Sequence, residues 1–299
     1  MGTVTKGVRK CATAMVAMVC VELGSATALR AAELFELKPD QSTAPAAQTL
    51  ASGPIKVQVE AQRGSNPDLP EYTLSYRIFH NDRLQVQQRT STWSTGTVEL
   101  KDLDRDAVPE TIVSTYSGGA HCCMSYMIYG WHQNRLTTTK LGPLDGGGGQ
   151  FKDLDGNGTV EFASVDNAFL YAFDSYAGSY PPSRIYQYKA GKLINVTRRY
   201  PKVLRSQAWD MYQSLNRPDN TSVNGVLAGY VAQKILLGEF QQGWNLMLAR
   251  YDRKSDWGLE QYKGDKVVGK HANFPAALKA FLIRTGYLDR TGQPISVDR

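Results

Sequence analysis

One repeat constrains this 299-residue chain more than any other feature. Residues 99–110 (ELKDLDRDAVPE) and 150–161 (QFKDLDGNGTVE) align without a gap and share Lys-Asp-Leu-Asp. The copies lie 153 − 102 = 51 residues apart. A period of about 50 residues is that of blade-like β repeats. Counting the first Asp as position 1, both copies place side-chain oxygens at positions 1, 3, 5 and 9. In the first these are Asp102, Asp104, Asp106 and Glu110; in the second, Asp153, Asp155, Asn157 and Glu161.

Oxygens at alternate positions of a short loop can curl around a hard cation. Calcium takes about 6–8 oxygens at roughly 2.3–2.6 Å. The backbone carbonyl at position 7, from Val108 or Thr159, would add a ligand. Gly156 and Gly158 ease the turn in the second loop, where the first has Arg105 and Ala107. An EF-hand needs a glutamate at its twelfth position and a helix on each side. Val113 and Ser164 stand there instead, and the flanks read as strands, so that motif is excluded. Without an ion, such Asp-Gly loops are solvated turns.

The surrounding pattern divides the chain. Residues 1–28 read as a secretory signal peptide: Lys6, Arg9 and Lys10, then an apolar run over 11–21, then small residues ending near Ala28. Residues 29–54, rich in Ala, Ser, Thr, Pro and Gln, read as a disordered linker. Residues 55–197 read as β: short runs near 55–60, 72–79, 83–87, 98–100, 110–116, 125–129, 160–165, 169–173 and 185–188, separated by Gly- and Pro-rich turns. His80-Asn81-Asp82 is a candidate hairpin turn. From residue 200 to about 290 the apolar spacing becomes helical, around 202–215, 223–231, 240–251 and 274–282. The fold class expected is α+β, with antiparallel β repeats followed by a small all-α domain. The aromatic-rich stretch 169–188 reads first as core and cross-strand pairs, and second as a surface that stacks on sugars or a peptide.

The two loops resemble the calcium loops of FG-GAP repeats, also called VCBS or integrin-α-like propeller repeats, over about 140 residues. The resemblance implies a loop joining two strands of a blade, with the residues named above as ligands. A complete propeller needs at least about four blades. Residues 55–197 hold two or three, so a partial propeller-like arrangement is expected, capped by other elements or completed by a partner copy.

Charge and cysteine content limit the function. The full chain has 34 Lys and Arg against 28 Asp and Glu. Without residues 1–28 the balance is 31 − 27 = +4, and no Lys/Arg block tracks a phosphate backbone, so nucleic acid is not expected as a partner. Signal cleavage would leave no stable membrane span. It would also leave only Cys122 and Cys123, adjacent in Ser-Gly-Gly-Ala-His-Cys-Cys (117–123). In an oxidising compartment they can form a vicinal disulfide. They can instead be two small buried side chains, join His121 in a metal site, or supply a nucleophile beside His121. Strand alternation would place His121 and Cys123 on one side. The expectation is a periplasmic or secreted, non-enzymatic calcium-binding module that binds a protein or glycan at the cell envelope. The alternative is an envelope hydrolase or redox protein using His121 with Cys122 and Cys123.

Overall fold

The computed structural model describes residues 32–38, 44–66, 68–145, 147–217 and 221–296, all within one compact unit. The expected signal peptide lies outside the described residues. The architecture is α+β, built mostly from antiparallel sheets with four α-helices.

Three sheets stack. The first contains β2 (Gln48–Ser52), β3 (Ile55–Arg63), β4 (Glu71–His80) and β5 (Arg83–Trp93), in that order. The second orders β1 (Leu34–Leu37), β6 (Gly96–Lys101), β7 (Glu110–Tyr116), β8 (Met124–His132) and β9 (Arg135–Leu144). The third orders β10 (Gly149–Lys152), β11 (Glu161–Val165), β12 (Ser183–Lys189) and β13 (Lys192–Asn195). Apart from β1, each is a meander of sequential antiparallel strands. Between β4 and β5, Asn81 (φ 49°) and Asp82 (φ 58°) are both left-handed, as the favoured two-residue hairpin turn requires.

The period-2 pattern shows how the sheets meet. Ile55, Val57 and Val59 of β3 and Leu74, Tyr76 and Ile78 of β4 point inward, against Val98, Val113, Tyr129 and Trp131 of the second sheet. The opposite face of that second sheet sends Ile112, Tyr126 and Ile128 against Phe162 and Tyr188 of the third. Strand β7 is the middle layer, which explains its unbroken burial from Glu110 to Ser114. A strand covered on both faces loses the polar alternation of a half-exposed one.

Four helices form a separate apolar cluster: α1 (Pro201–Leu215), α2 (Val223–Leu236), α3 (Phe240–Arg250) and α4 (Phe274–Arg284). Helix α2 is the core of it, burying Val226, Leu227, Val231 and Ile235. Among the described residues no helix is long and apolar enough to cross a membrane.

Three expectations need correction. The linker assigned to residues 29–54 contains β1 and β2. Phe35, Leu37 and Leu50 are buried there, so two short apolar alternations outweigh the loop-like composition between them. The helical part is not all-α: a hairpin of β14 (Glu260–Lys263) and β15 (Lys266–Lys270) stands between α3 and α4. Residues 169–173 are not a strand. Asp166 accepts a hydrogen bond from Ala168 N (3.1 Å) and starts a 3-10 turn over Asn167–Phe169, and Tyr171 takes φ 60°, which breaks any extended run.

Candidate functional site: the paired acidic loops

The two acidic loops occupy equivalent places, joining β6 to β7 and β10 to β11. Each closes on the same strand pair: Lys101 faces Glu110 in one and Lys152 faces Glu161 in the other.

Several of their internal hydrogen bonds recur in both loops. The position-1 carboxylate accepts from the N–H of position 4: Arg105 N to Asp102 (2.7 Å), Gly156 N to Asp153 (2.7 Å). Its second oxygen accepts from position 6: Ala107 N to Asp102 (3.1 Å), Gly158 N to Asp153 (2.8 Å). The position-5 oxygen accepts from position 7: Val108 N to Asp106 (2.8 Å), Thr159 N to Asn157 (2.7 Å). Positions 4 and 6 are left-handed in both loops: Arg105 at φ 65° and Ala107 at φ 67°, Gly156 at 78° and Gly158 at 88°. The first loop therefore adopts the glycine conformation without the glycines, at a steric cost.

The glutamates at position 9 behave differently from the aspartates. Glu110 and Glu161 are each only 1% exposed. Each accepts from the N–H of position 2: Leu103 N to Glu110 (2.9 Å) and Leu154 N to Glu161 (3.2 Å). They brace the loops from beneath. Burial pushes the Glu110 carboxyl up to about 8, with the charges of Asp104, Asp106 and Asp102 adding to the rise. Gly130 makes room for this pillar, since a Cβ there would meet the hydroxyl of Tyr188 and the carboxylate of Glu110.

Ligand oxygens of Asp102, Asp104 and Asp106 all lie within 4.8 Å of one another. Desolvation is the main cause holding the Asp104 carboxyl above its usual range, and its Oδ1 is buried without a hydrogen-bond partner. Converging carboxylates repel one another unless a cation or protons compensate them. A carboxylate has about four lone-pair sites, so backbone hydrogen bonds leave capacity for an ion. This donor set suits a hard cation. The second loop brings Asp153, Asp155 and Asn157 into the same frame, with one carboxylate fewer.

The loops also touch each other. Arg105 Nη1 donates to the carbonyl of Asn157 at 2.7 Å, and Val160 N donates to the Leu103 carbonyl at 3.3 Å. Nothing in the separate motifs or in their 51-residue spacing announced this bridge.

The His-Cys-Cys segment stands apart. It forms the β7–β8 turn, at the far end of β7 from the acidic loop. Ser117 and Cys123 close it through Ser117 N to Cys123 O (3.0 Å) and Cys123 N to Ser117 Oγ (2.7 Å). The sulfurs of Cys122 and Cys123 lie side by side in this turn, in the place that a vicinal disulfide would occupy. His121 lies in the turn, where strand alternation does not apply, and its ring stacks on Tyr176 with centroids 3.9 Å apart.

The fold and its loops define an α+β protein with a duplicated acidic turn. Residues 204–286, which span the helices and the β14–β15 hairpin, match the sll0997 C-terminal domain family. The chain is 37% identical over 205 residues to the "Probable thylakoid lumen protein sll0997" of Synechocystis, covering 64% of this chain and 60% of that protein. It is 33% identical over 253 residues to the uncharacterized protein y4bJ of Sinorhizobium fredii, covering 80% of this chain and 40% of that one. The matches thus span 60% and 40% of the relatives' own lengths. No solved structure matches.

Proposed function

We propose that the chain is an exported, non-enzymatic binding module whose β part is a partial propeller of FG-GAP type, stabilised by calcium in its two acidic loops. The observation that carries this reading is the duplicated hydrogen-bond frame. The same three side-chain positions, 1, 5 and 9, meet the same four backbone N–H groups in both loops, between the same two strands of a four-stranded meander.

In this reading Asp102, Asp104 and Asp106 hold one ion with the Val108 carbonyl. Asp153, Asp155 and Asn157 hold a second with the Thr159 carbonyl. Glu110 and Glu161 fix the loop height, and each meander is a blade. The ions are structural: they neutralise carboxylates that otherwise repel. The lumenal name of one relative and the leader-like residues 1–28 support a periplasmic or lumenal compartment. The partner is a protein or glycan of the cell envelope.

Isothermal titration of the metal-stripped full chain with calcium, alongside thermal melting, tests this. About two ions per chain are expected, with affinities near the roughly 0.1–1 mM of extracellular calcium modules. Calcium at a hundredfold excess over Kd would add about 2.7 kcal/mol per site to stability. Asp102→Asn with Asp104→Asn should remove one ion and leave the other. No heat of binding and an unchanged melting temperature would overturn the proposal.

A further inference from the structure

The aromatic stretch after β11 divides into two sets. Phe169 and Phe173 turn into the helical core, against Phe281 at 4.8 and 5.2 Å between ring centroids. Tyr171, between them in sequence, faces outward and is 50% exposed. It lines a cavity of about 530 Å³ with Trp257 (46% exposed) and Tyr262 (62% exposed). The β14–β15 hairpin and α4 complete the walls.

Exposed rings are unremarkable singly, but these are held in place. The indole Nε1 of Trp257 donates to the Tyr171 carbonyl at 3.0 Å. Gly258, at φ +75°, brings the chain so close to residues 172 and 173 that a Cβ would collide with the Ala172 carbonyl. Tyr171 itself sits at φ 60°. A left-handed conformation is a true outlier for so bulky a residue, and such strain gathers where side chains serve a ligand. The ring row continues past the cavity: Tyr176 lies 5.5 Å from Tyr171, and His121 stacks on Tyr176.

We propose that this cleft binds an oligosaccharide. Tyr and Trp offer a flat apolar body with a polar tip, suited to the C–H face of a sugar ring. Around the rings stand Asp256 and Glu260, which accept hydrogen bonds, and Lys270 and Arg284, which donate them. Hydroxyl groups both donate and accept, so a polyhydroxyl ligand uses both kinds of group. A proline-rich peptide is the other natural occupant of an aromatic groove. Its prolines have no N–H to give the two carboxylates. The length of the ring row favours an oligomer over a single sugar. The inference rests on the binding-module reading and supplies its ligand class. Its residues are separate from the acidic loops, so calcium binding and sugar binding fail independently.

The full chain would be titrated with chitotetraose, cellotetraose and maltotetraose, followed by tryptophan emission and calorimetry, with decaproline as the peptide arm. At least one tetrasaccharide is expected to bind with Kd of about 1 mM or tighter. Trp257→Ala should weaken that binding about tenfold or more. Trp209→Ala, which removes an exposed indole on α1, should leave it unchanged. Tyr171→Gly should weaken binding while the melting temperature stays at or above the parent's, a pairing that a purely structural tyrosine would not give. Failure of all three sugars to bind at ~10 mM, equal affinity in Trp257→Ala, or binding of decaproline in their place would overturn the proposal.

Discussion

Ala107 and Gly158 hold the same place in the two loops and nearly the same left-handed backbone, yet only one has a methyl group to accommodate. That methyl costs about 1 kcal/mol. Ala107 is exposed, and its N–H bond to Asp102 does not depend on its side chain. Ala107→Gly should therefore raise the unfolding free energy by about 1 kcal/mol, read as a higher urea midpoint; an unchanged or lower midpoint would contradict the strain. At this scale the sequence was informative: the spacing of Asp102, Asp104 and Asp106 placed their oxygens together before any coordinates. It did not separate Glu110 and Glu161 from the aspartates, because the spacing of a side chain does not say whether it points into the loop or beneath it. Nor could it show Arg105 reaching Asn157, a contact across 52 residues.

Elements with strong periodicity were legible, and those without were not. Strands β3, β4 and β7 and all four helices lie where the apolar spacing puts them. Strand β9 (RLTTTKLGPL) escaped because it buries no residue fully and contains Gly142-Pro143, a turn signal. β1 and β13 are four residues each, too short for a pattern to rise above chance. What ties the elements together is also invisible in a linear pattern. Gln233, fully buried in α2, accepts from Ser183 N (3.0 Å) and donates to Ser183 Oγ (3.1 Å) and the Leu204 carbonyl (3.0 Å). One amide thus joins α2 to β12 and α1. Gln233→Leu keeps the volume but strips partners from buried polar groups, at about 2–3 kcal/mol. Chemical denaturation would show it; a loss below about 0.5 kcal/mol would mean that these groups find other partners.

For the molecule as a whole, acid stability reports on how the helices hold together. Glu239 accepts from Lys234, which is nearly buried, and from Arg205 (2.6 Å). The hydrogen bond from Lys234 is the main cause holding its carboxyl below the ordinary 4.5; burial opposes it, and the hydrogen bond from Arg205 adds a smaller downward pull. A carboxyl with a depressed folded-state pKa adds stability above its unfolded value, and that stability is lost as the pH falls through the folded one. The protein should therefore lose stability on acidification from about pH 5 to pH 3. Glu239→Gln should be less stable at neutral pH by about 2 kcal/mol, because it leaves the Lys234 ammonium without its charge partner. It should also show a flatter acid limb in urea midpoints collected across that range. Equal slopes in parent and variant would remove Glu239 from the account. The stacking of three sheets was partly foreseeable, since a 51-residue repeat implies two like units. The first sheet carries no acidic loop, and β2 turns into β3 through Gly53 and Pro54 instead. A repeat search keyed to aspartates passes over it.

The place of β1 has a consequence in time. It is the first described strand of the chain, but it pairs only with β6, Leu37 lying opposite Gly96. They stand 96 − 37 = 59 positions apart in the chain. At synthesis rates of about 5–20 residues per second, β1 waits roughly 3–12 s for its partner. Meanwhile the sheet formed by β2 to β5 can complete itself, since each of its strands meets a neighbour made just before. Four residues with two inward side chains, Phe35 and Leu37, are a small liability over that interval, where a long apolar strand would invite pairing with another chain. The brevity of β1 is thus a matter of schedule as well as of stability.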